Sequence, residues 1–170
     1  EQWEEILHDD HWDTDHQTVR WHDKTGKPFE KWLSMVCLHY PEYENLEEWT
    51  YFSRLNQRDA LRFAIEHYRT SDFCKGTLIW QFNDCWPVQS WAVQDYARVL
   101  KPAGDELRRL YAPVMLALKK SDEKLVVWAV NDGLHHEAFE CDLIVHSGGE
   151  RTVHRLPADL DPGDRRAIGS

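Results

Sequence analysis

The feature that most constrains the fold is a change in hydrophobic periodicity near Pro113. Before it, apolar residues recur at helical spacing, most clearly over residues 45–69. After it, apolar residues follow every second position, which places alternate side chains on one face of a strand. Three antiparallel strands are therefore predicted over 113–146. Their centres are Leu116, Val127 and Leu143.

The first part of the chain is predicted to be mainly helical. The spacing favours a helix over 29–40 and a longer one over 45–69, with Asn45 as the N-cap of the second. A short amphipathic helix is predicted over 103–111. The polar residues 1–28 predict a long loop with a short helical turn at its start.

Residues 76–82 follow the longest helix and are apolar on both faces, which predicts a parallel-type strand buried on both sides. In a (β/α)8 barrel, the residues at the end of such a strand build the site. Indole faces stack on sugar rings, and carboxamide or carboxylate groups bind sugar hydroxyls. The alternative is a buried strand with a capped turn. The residues predicted to bind sugar are Trp80, Asn83, Asp84 and Trp86.

Composition argues against two classes of partner. The formal net charge of −10 repels phosphate backbones, so no nucleic acid is predicted to bind. No apolar run is long enough to span a bilayer, so no membrane partner is predicted.

Nine tryptophans suit either a packed core or platforms for sugar rings. Both ends of the chain are interpreted as cuts, which leaves the compartment and the oligomeric state open.

The cysteines and histidines raise further possibilities. The cysteines have no CxxC spacing and are interpreted as buried thiols that act as small hydrophobes. They are Cys37, Cys74, Cys85 and Cys141. The run of His and Asp at 8–16 could hold a divalent cation or form a solvated loop. Its spacing fits no established ligand motif, so no metal and no cofactor is predicted. His135 and His136 stand beside a turn and are predicted to be exposed.

One long motif carries a family resemblance. The run GTLIWQFNDCWPVQSW at 76–91, followed by Asp95 and Tyr96, resembles the last barrel strand of glycoside hydrolase family 2 β-mannosidases. Residues 55–57 and 107–113 resemble the same family. The resemblance implies an α/β part followed by an all-β part.

The implied first domain is the C-terminal portion of a (β/α)8 TIM barrel, at residues 1–111. The second, at 112–170, is the N-terminal part of a truncated immunoglobulin-like β-sandwich. A complete sandwich of that type needs about 100 residues.

The resemblance also implies a function, that of a retaining exo-hydrolase acting on terminal β-mannosyl residues of a mannose-containing oligosaccharide. The family's two catalytic glutamates lie in an Asn-Glu motif and in a Glu-aromatic-Gly motif. Neither motif occurs here, since Glu42-Tyr43 is followed by Glu44 and Asn45 is followed by Leu46. No catalytic residue is therefore assigned, and the chain is expected to be inactive alone.

The same resemblance implies that the four predicted sugar-binding residues belong to the wall of the −1 subsite. It implies that Trp80 forms the floor of the −1 subsite and that the Trp80-Gln81 peptide is cis. Two alternatives stay open: a non-catalytic carbohydrate-binding or interaction module, and a family 2 glycosidase of other sugar specificity. One departure concerns Gly104, near which the family commonly has an aromatic residue. The glycine is expected to weaken local packing or shorten the helix.

Overall fold

The computed structural model describes residues 2–7, 14–25 and 29–170. The chain divides into two compact units. The helical unit comprises Glu1–Phe63 and Leu78–Arg108, and the sheet unit comprises Ala64–Thr77 and Arg109–Ser170. The predicted domain boundary after residue 111 stays a prediction.

The three predicted helices are confirmed, with ends that differ by a few residues. The helices are α1 Gln2–Ile6, α2 Gln17–Trp21, α3 Phe29–Cys37, α4 Leu46–Arg69 and α5 Pro102–Leu110. Asn45 caps α4 as predicted, because its Oδ1 accepts a hydrogen bond from the backbone N–H of Glu48 at 2.9 Å. Helix α2 lies inside the predicted loop. There His16 acts as N-cap and accepts from the backbone N–H of Thr18.

The core of the helical unit forms where the start of α4 meets the first three helices. Leu46 and Trp49 are almost fully buried on the apolar stripe of α4. They pack in one cluster with Leu7, Val19 and Val36. Two other contacts of α4, from Trp49 and Gln57, are hydrogen bonds to the loop that follows residue 80.

The sheet unit contains five strands: β1 Val114–Ser121, β2 Lys124–Asn131, β3 Glu137–Ser147, β4 Glu150–Leu160 and β5 Arg165–Gly169. The three predicted strands are confirmed as β1, β2 and β3, and β4 and β5 were not predicted. One antiparallel sheet has the order β1-β2-β5, and the other is the β3-β4 hairpin. Gly148 and Gly149 have positive φ at the turn of that hairpin, a conformation that glycine adopts without a steric penalty.

The two sheets share a small apolar core. Ala129 of β2 packs with Ala158 and Leu160 of β4, and partly buried side chains surround them. Asn131 is fully buried at the end of β2, where its amide donates to the carbonyl oxygens of His135 and Leu160. A buried amide satisfied in this way fixes the connection between the sheets.

The prediction of a buried strand at 76–82 is wrong. This run belongs to no helix or strand and bends at Trp80 and Phe82, and Leu78 and Trp80 are 99% and 80% exposed. A strand is buried on both faces only where neighbouring strands and covering helices enclose it. Among the described residues, the backbone at 93–94 bonds to its end through the carbonyls of Gln81 and Phe82, and no strand flanks it.

The prediction of buried cysteines is also wrong. Cys37 and Cys85 are exposed, and Cys74 and Cys141 are partly exposed; all four are free thiols. They occupy the last turn of α3, two loops and strand β3, and none of them belongs to the buried clusters around Leu46 and Ala129.

The histidines that the sequence analysis singled out lie at 135–136 and in the run at 8–16. His135 and His136 are exposed, as predicted. Of the run at 8–16, residues 8–13 lie outside the described residues. The described parts of the chain contain no group of three or more His, Cys, Asp or Glu placed to hold a metal ion. Within the same parts, no helix combines the length and apolar character needed to cross a membrane.

Candidate functional site

The site begins at Trp80, which lies within the largely exposed run at 76–82. The Trp80-Gln81 peptide is cis, which confirms the prediction made from the resemblance. The Trp80 side chain is 80% exposed, so its indole is open to solvent. An exposed indole offers a flat apolar surface to a ligand ring.

Asn83 is exposed two residues after the cis peptide. Its backbone pairs with Gln94 in an isolated parallel bridge, and its carbonyl oxygen accepts from the side-chain amide of Gln81 at 2.9 Å. The Asn83 side-chain amide donates to the carbonyl oxygen of Asp84 at 3.2 Å. Hydrogen bonds to neighbouring residues of the same loop therefore hold the backbone of Asn83 in place.

Asp84 points inward. Its Oδ1 accepts from the Ser90 hydroxyl at 2.6 Å, and its Oδ2 lies 3.4 Å from the Lys101 ammonium. Burial lowers the pKa of Lys101 below its ordinary value, although the neighbouring Asp84 carboxylate opposes that shift. The carboxylate that was predicted to bind sugar is therefore engaged by groups of the chain itself.

Trp86 is partly buried against the helix α2 region. Its ring lies 4.6 Å from the His22 ring, measured between centroids. The Nδ1 of His22 lies 2.5 Å from the carbonyl oxygen of Pro87, and the His22 carbonyl accepts from the backbone N–H of Gln89. This packing holds Trp86 in place and covers part of its surface.

The structure thus separates the four predicted residues into two pairs. Trp80 and Asn83 are exposed, whereas Asp84 is buried and Trp86 is packed on His22. An indole and an amide can stack on and hydrogen-bond a hydroxylated ring. Neither group is suited to transfer protons or to act as a nucleophile at neutral pH.

Several residues that hold this loop were not identified from the sequence. The Gln57 amide of α4 donates to the carbonyl of Trp91 at 2.7 Å, and Trp49 donates to the side chain of Gln89 at 3.0 Å. Ser90 and Lys101 bind Asp84. The one available signal was a glutamine within the otherwise regular helix α4, where a polar side chain can reach a neighbouring backbone.

Comparison with known proteins gives a consistent set of relatives. No protein-family model matches the chain. "Beta-mannosidase B" of Thermothelomyces thermophilus is 31% identical over 84% of the chain, which corresponds to 20% of that protein. "Beta-mannosidase B" of Aspergillus terreus is 32% identical over 66% of the chain and 13% of its own length. The chain therefore spans about a fifth or less of these relatives.

Two solved structures are similar in fold. A β-D-mannosidase from Dictyoglomus thermophilum matches 99% of the chain with a TM-score of 0.87 and 27% identity, over 21% of its own chain. The exo-β-D-glucosaminidase CsxA matches 98% of the chain with a TM-score of 0.75, also over 21% of its own chain. Its 14% identity indicates a shared fold alone.

Proposed function

We infer that this chain, which sequence and fold relate to the β-mannosidases of glycoside hydrolase family 2, supplies the sugar-stacking part of a retaining exo-β-mannosidase site. The observation that carries this proposal is the 80% exposed indole of Trp80, with the exposed amide of Asn83 close behind it in sequence. We assign Trp80 as the platform for a terminal β-mannosyl ring. Asn83 is its hydrogen-bonding neighbour, and Trp86 contributes at the edge.

The chemistry of such an enzyme requires two carboxyl groups about 5–5.5 Å apart, one as nucleophile and one as acid and base. Neither family motif for these groups occurs in the 170 residues. We propose that other segments of the longer enzyme provide both groups. This chain then contributes binding energy and orientation, which accelerate the reaction by holding the sugar in the geometry of attack.

The proposed fold follows the same assignment. Residues 1–111 form the C-terminal part of a (β/α)8 barrel, and 112–170 form the N-terminal part of an immunoglobulin-like sandwich. Two exposed apolar residues support the barrel assignment: Leu78 is 99% exposed and Phe82 is 58% exposed. Side chains of this kind are normally covered, and neighbouring barrel strands would cover them.

A chimaeric enzyme tests the proposal. The matching fifth of the Thermothelomyces thermophilus relative is replaced by this chain, and hydrolysis of an aryl β-mannoside is measured. We expect activity in the chimaera, and we expect Trp80→Ala to lower kcat/KM by about 100-fold, as loss of a stacking contact in the transition state would.

Trp21→Ala is the matched control, because Trp21 belongs to the same unit and is 78% exposed. It should leave kcat/KM unchanged within about twofold, as is usual for an exposed substitution outside a site. Equal effects of the two variants would remove Trp80 from the site. Aryl β-glucosaminide and β-galactoside substrates test the other specificities. Sugar binding by the chain without activity in the chimaera would favour a non-catalytic module.

A further inference from the structure

We propose that Lys101 and Asp84 are positioning residues, whose buried ion pair holds the turn that presents Trp80 and Asn83 to the sugar. The inference rests on the proposed function and deepens it. It assigns the Asp84 carboxylate to the internal support of the site instead of to direct sugar contact, and it adds Lys101 to the residues on which activity depends.

The first argument is the enclosure of the pair. The side chains of Asp84 and Lys101 are 1% and 8% exposed. The Lys101 ammonium donates a hydrogen bond to Oδ2 of Asp84 at 3.4 Å, and the Ser90 hydroxyl donates one to Oδ1 at 2.6 Å. The Ser90 oxygen also accepts from the backbone N–H of Ala92 at 3.0 Å. Because both carboxylate oxygens are engaged and enclosed, a sugar hydroxyl cannot reach them without opening the turn.

The second argument is the backbone around the pair. The Asp84 N–H donates to the Gln94 carbonyl at 3.1 Å, and the Gln94 N–H donates to the Phe82 carbonyl at 2.8 Å. The Lys101 N–H donates to the Val93 carbonyl at 2.9 Å. The two charged residues therefore stand where the segments 82–84, 93–94 and the start of α5 are joined. Trp80 lies two residues before Phe82, whose carbonyl oxygen accepts one of these hydrogen bonds.

The third argument is the charge balance. Arg54 and Asp95 form a second pair nearby, with 3.9 Å between the guanidinium nitrogen and the carboxylate oxygen. Burial, the largest effect, and Arg54 disfavour the charged form of Lys101, whereas Asp84 and Asp95 favour it. Removing one member of a buried pair leaves the other charge without its partner, and the turn must then open to admit water. The geometry of the site therefore depends on both members together.

The test is a double-mutant cycle in the chimaeric enzyme, with Lys101→Met and Trp80→Ala made singly and together. A residue that acts through the turn loses its effect once the platform is gone. We expect each single variant to lower kcat/KM for the aryl β-mannoside by about 30-fold or more. The double variant should be no worse than about threefold below Trp80→Ala, a strong non-additivity of neighbouring sites. The inhibition constant of free mannose should rise in parallel.

Two variants keep the test decisive if Lys101→Met does not fold. Asp84→Asn combined with Lys101→Met removes both charges and should recover most of the activity lost in either single variant, because no unpaired charge remains. Ser90→Ala removes a hydrogen bond without unpairing a charge and should raise KM. Lys31→Met, at an exposed position of α3, is the control and should leave kinetics unchanged.

Three outcomes would overturn the inference. Multiplicative losses in the Lys101 and Trp80 cycle would mean that Lys101 only stabilises the fold. A loss in Asp84→Asn that persists in full when Lys101→Met is added would mean that Asp84 contacts the sugar. Unchanged kinetics in Lys101→Met would mean that the pair supports nothing in the site. Failure of the proposed function is separate, because Trp80→Ala alone would then have no effect.

Discussion

Gly104 lies so close to Val93 that a Cβ atom at Gly104 would stand 2.7 Å from the Val93 carbonyl oxygen. The same atom would stand 2.7 Å from Cδ2 of Leu100. The glycine is buried inside α5, which runs for nine residues. The expectation that Gly104 weakens packing or shortens the helix is therefore wrong, because its missing side chain is what permits this close approach.

We predict that Gly104→Ala destabilises the chain by about 1–3 kcal/mol, the usual result of forcing a methyl group into a closely packed contact. Gly76→Ala is the matched control, since a Cβ there meets no atom within 4 Å. It should be neutral or stabilise by about 0.4–1 kcal/mol through the unfolded chain. Denaturant midpoints of the two variants provide the measurement. Equal midpoints would contradict the close contact at Gly104.

Arg69 is the second position at which a large effect is expected. Its guanidinium, with a side chain 10% exposed, donates to the carbonyls of Leu110 and Ala112 at the end of α5 and pairs with Asp132 at 2.8 Å. We predict that Arg69→Met destabilises the sheet unit by about 3 kcal/mol, because these carbonyls and the carboxylate lose a partly buried charged donor.

Arg155→Met is the control for Arg69. Arg155 also pairs with an aspartate, Asp142, but their side chains are 66% and 43% exposed. We expect its removal to cost less than about 1 kcal/mol, as for other exposed ion pairs. Thermal unfolding of both variants, followed by circular dichroism, makes the comparison. A similar shift in the two would mean that Arg69 is no more than a surface charge.

Hydrophobic periodicity predicted those helices and strands whose apolar residues follow a regular helical or alternating spacing. Helix α4 has a long apolar stripe and a capping asparagine, and β1 to β3 alternate clearly. Strand β4 was missed because most of its side chains are exposed and its sequence contains Pro157, so it lacks a regular alternation. Strand β5 has only five residues, which is too short for a periodic signal.

The site was predictable in its position but not in the direction of its side chains. The motif at 76–91 located Trp80 and Asn83, and both are exposed. The inward direction of Asp84 depends on Lys101, seventeen positions away, and no spacing rule connects them. The burial predicted for 76–82 failed for a related reason, because burial depends on neighbouring elements and not on the strand's own sequence.

The contact of the His136 side chain with Asp159 predicts how the stability of the fold depends on pH. Its Nε2 lies 2.9 Å from the Asp159 carboxylate, and the hydrogen bond and charge of Asp159 raise the pKa of His136 above its ordinary value of 6.5. A raised pKa means that the folded chain binds the proton more tightly than the unfolded chain. The resulting stability is fully present below about pH 6.5 and is lost as the pH rises through the folded value.

A proton NMR titration of His136 tests this. Asp159→Asn should return its pKa to near the ordinary value, whereas Asp161→Asn should lower it less, because Asp161 contributes a smaller, purely Coulombic effect. The stability lost between slightly acidic and alkaline pH should shrink in Asp159→Asn. An unchanged His136 titration in that variant would contradict the contact.

We also predict that the 170-residue chain does not hydrolyse aryl β-mannosides by itself. Cleavage with retention needs a nucleophilic carboxylate and a second carboxyl group that protonates the leaving oxygen. Neither family motif for these groups is in the sequence, and the carboxylate nearest to Trp80 in the motif, Asp84, is buried against Lys101 and Ser90. The measurement is release of nitrophenol from a nitrophenyl β-mannoside, with the active chimaera as positive control. Activity that copurifies with the chain and disappears in Asp84→Asn would make Asp84 catalytic and overturn both this prediction and its assignment as a positioning residue.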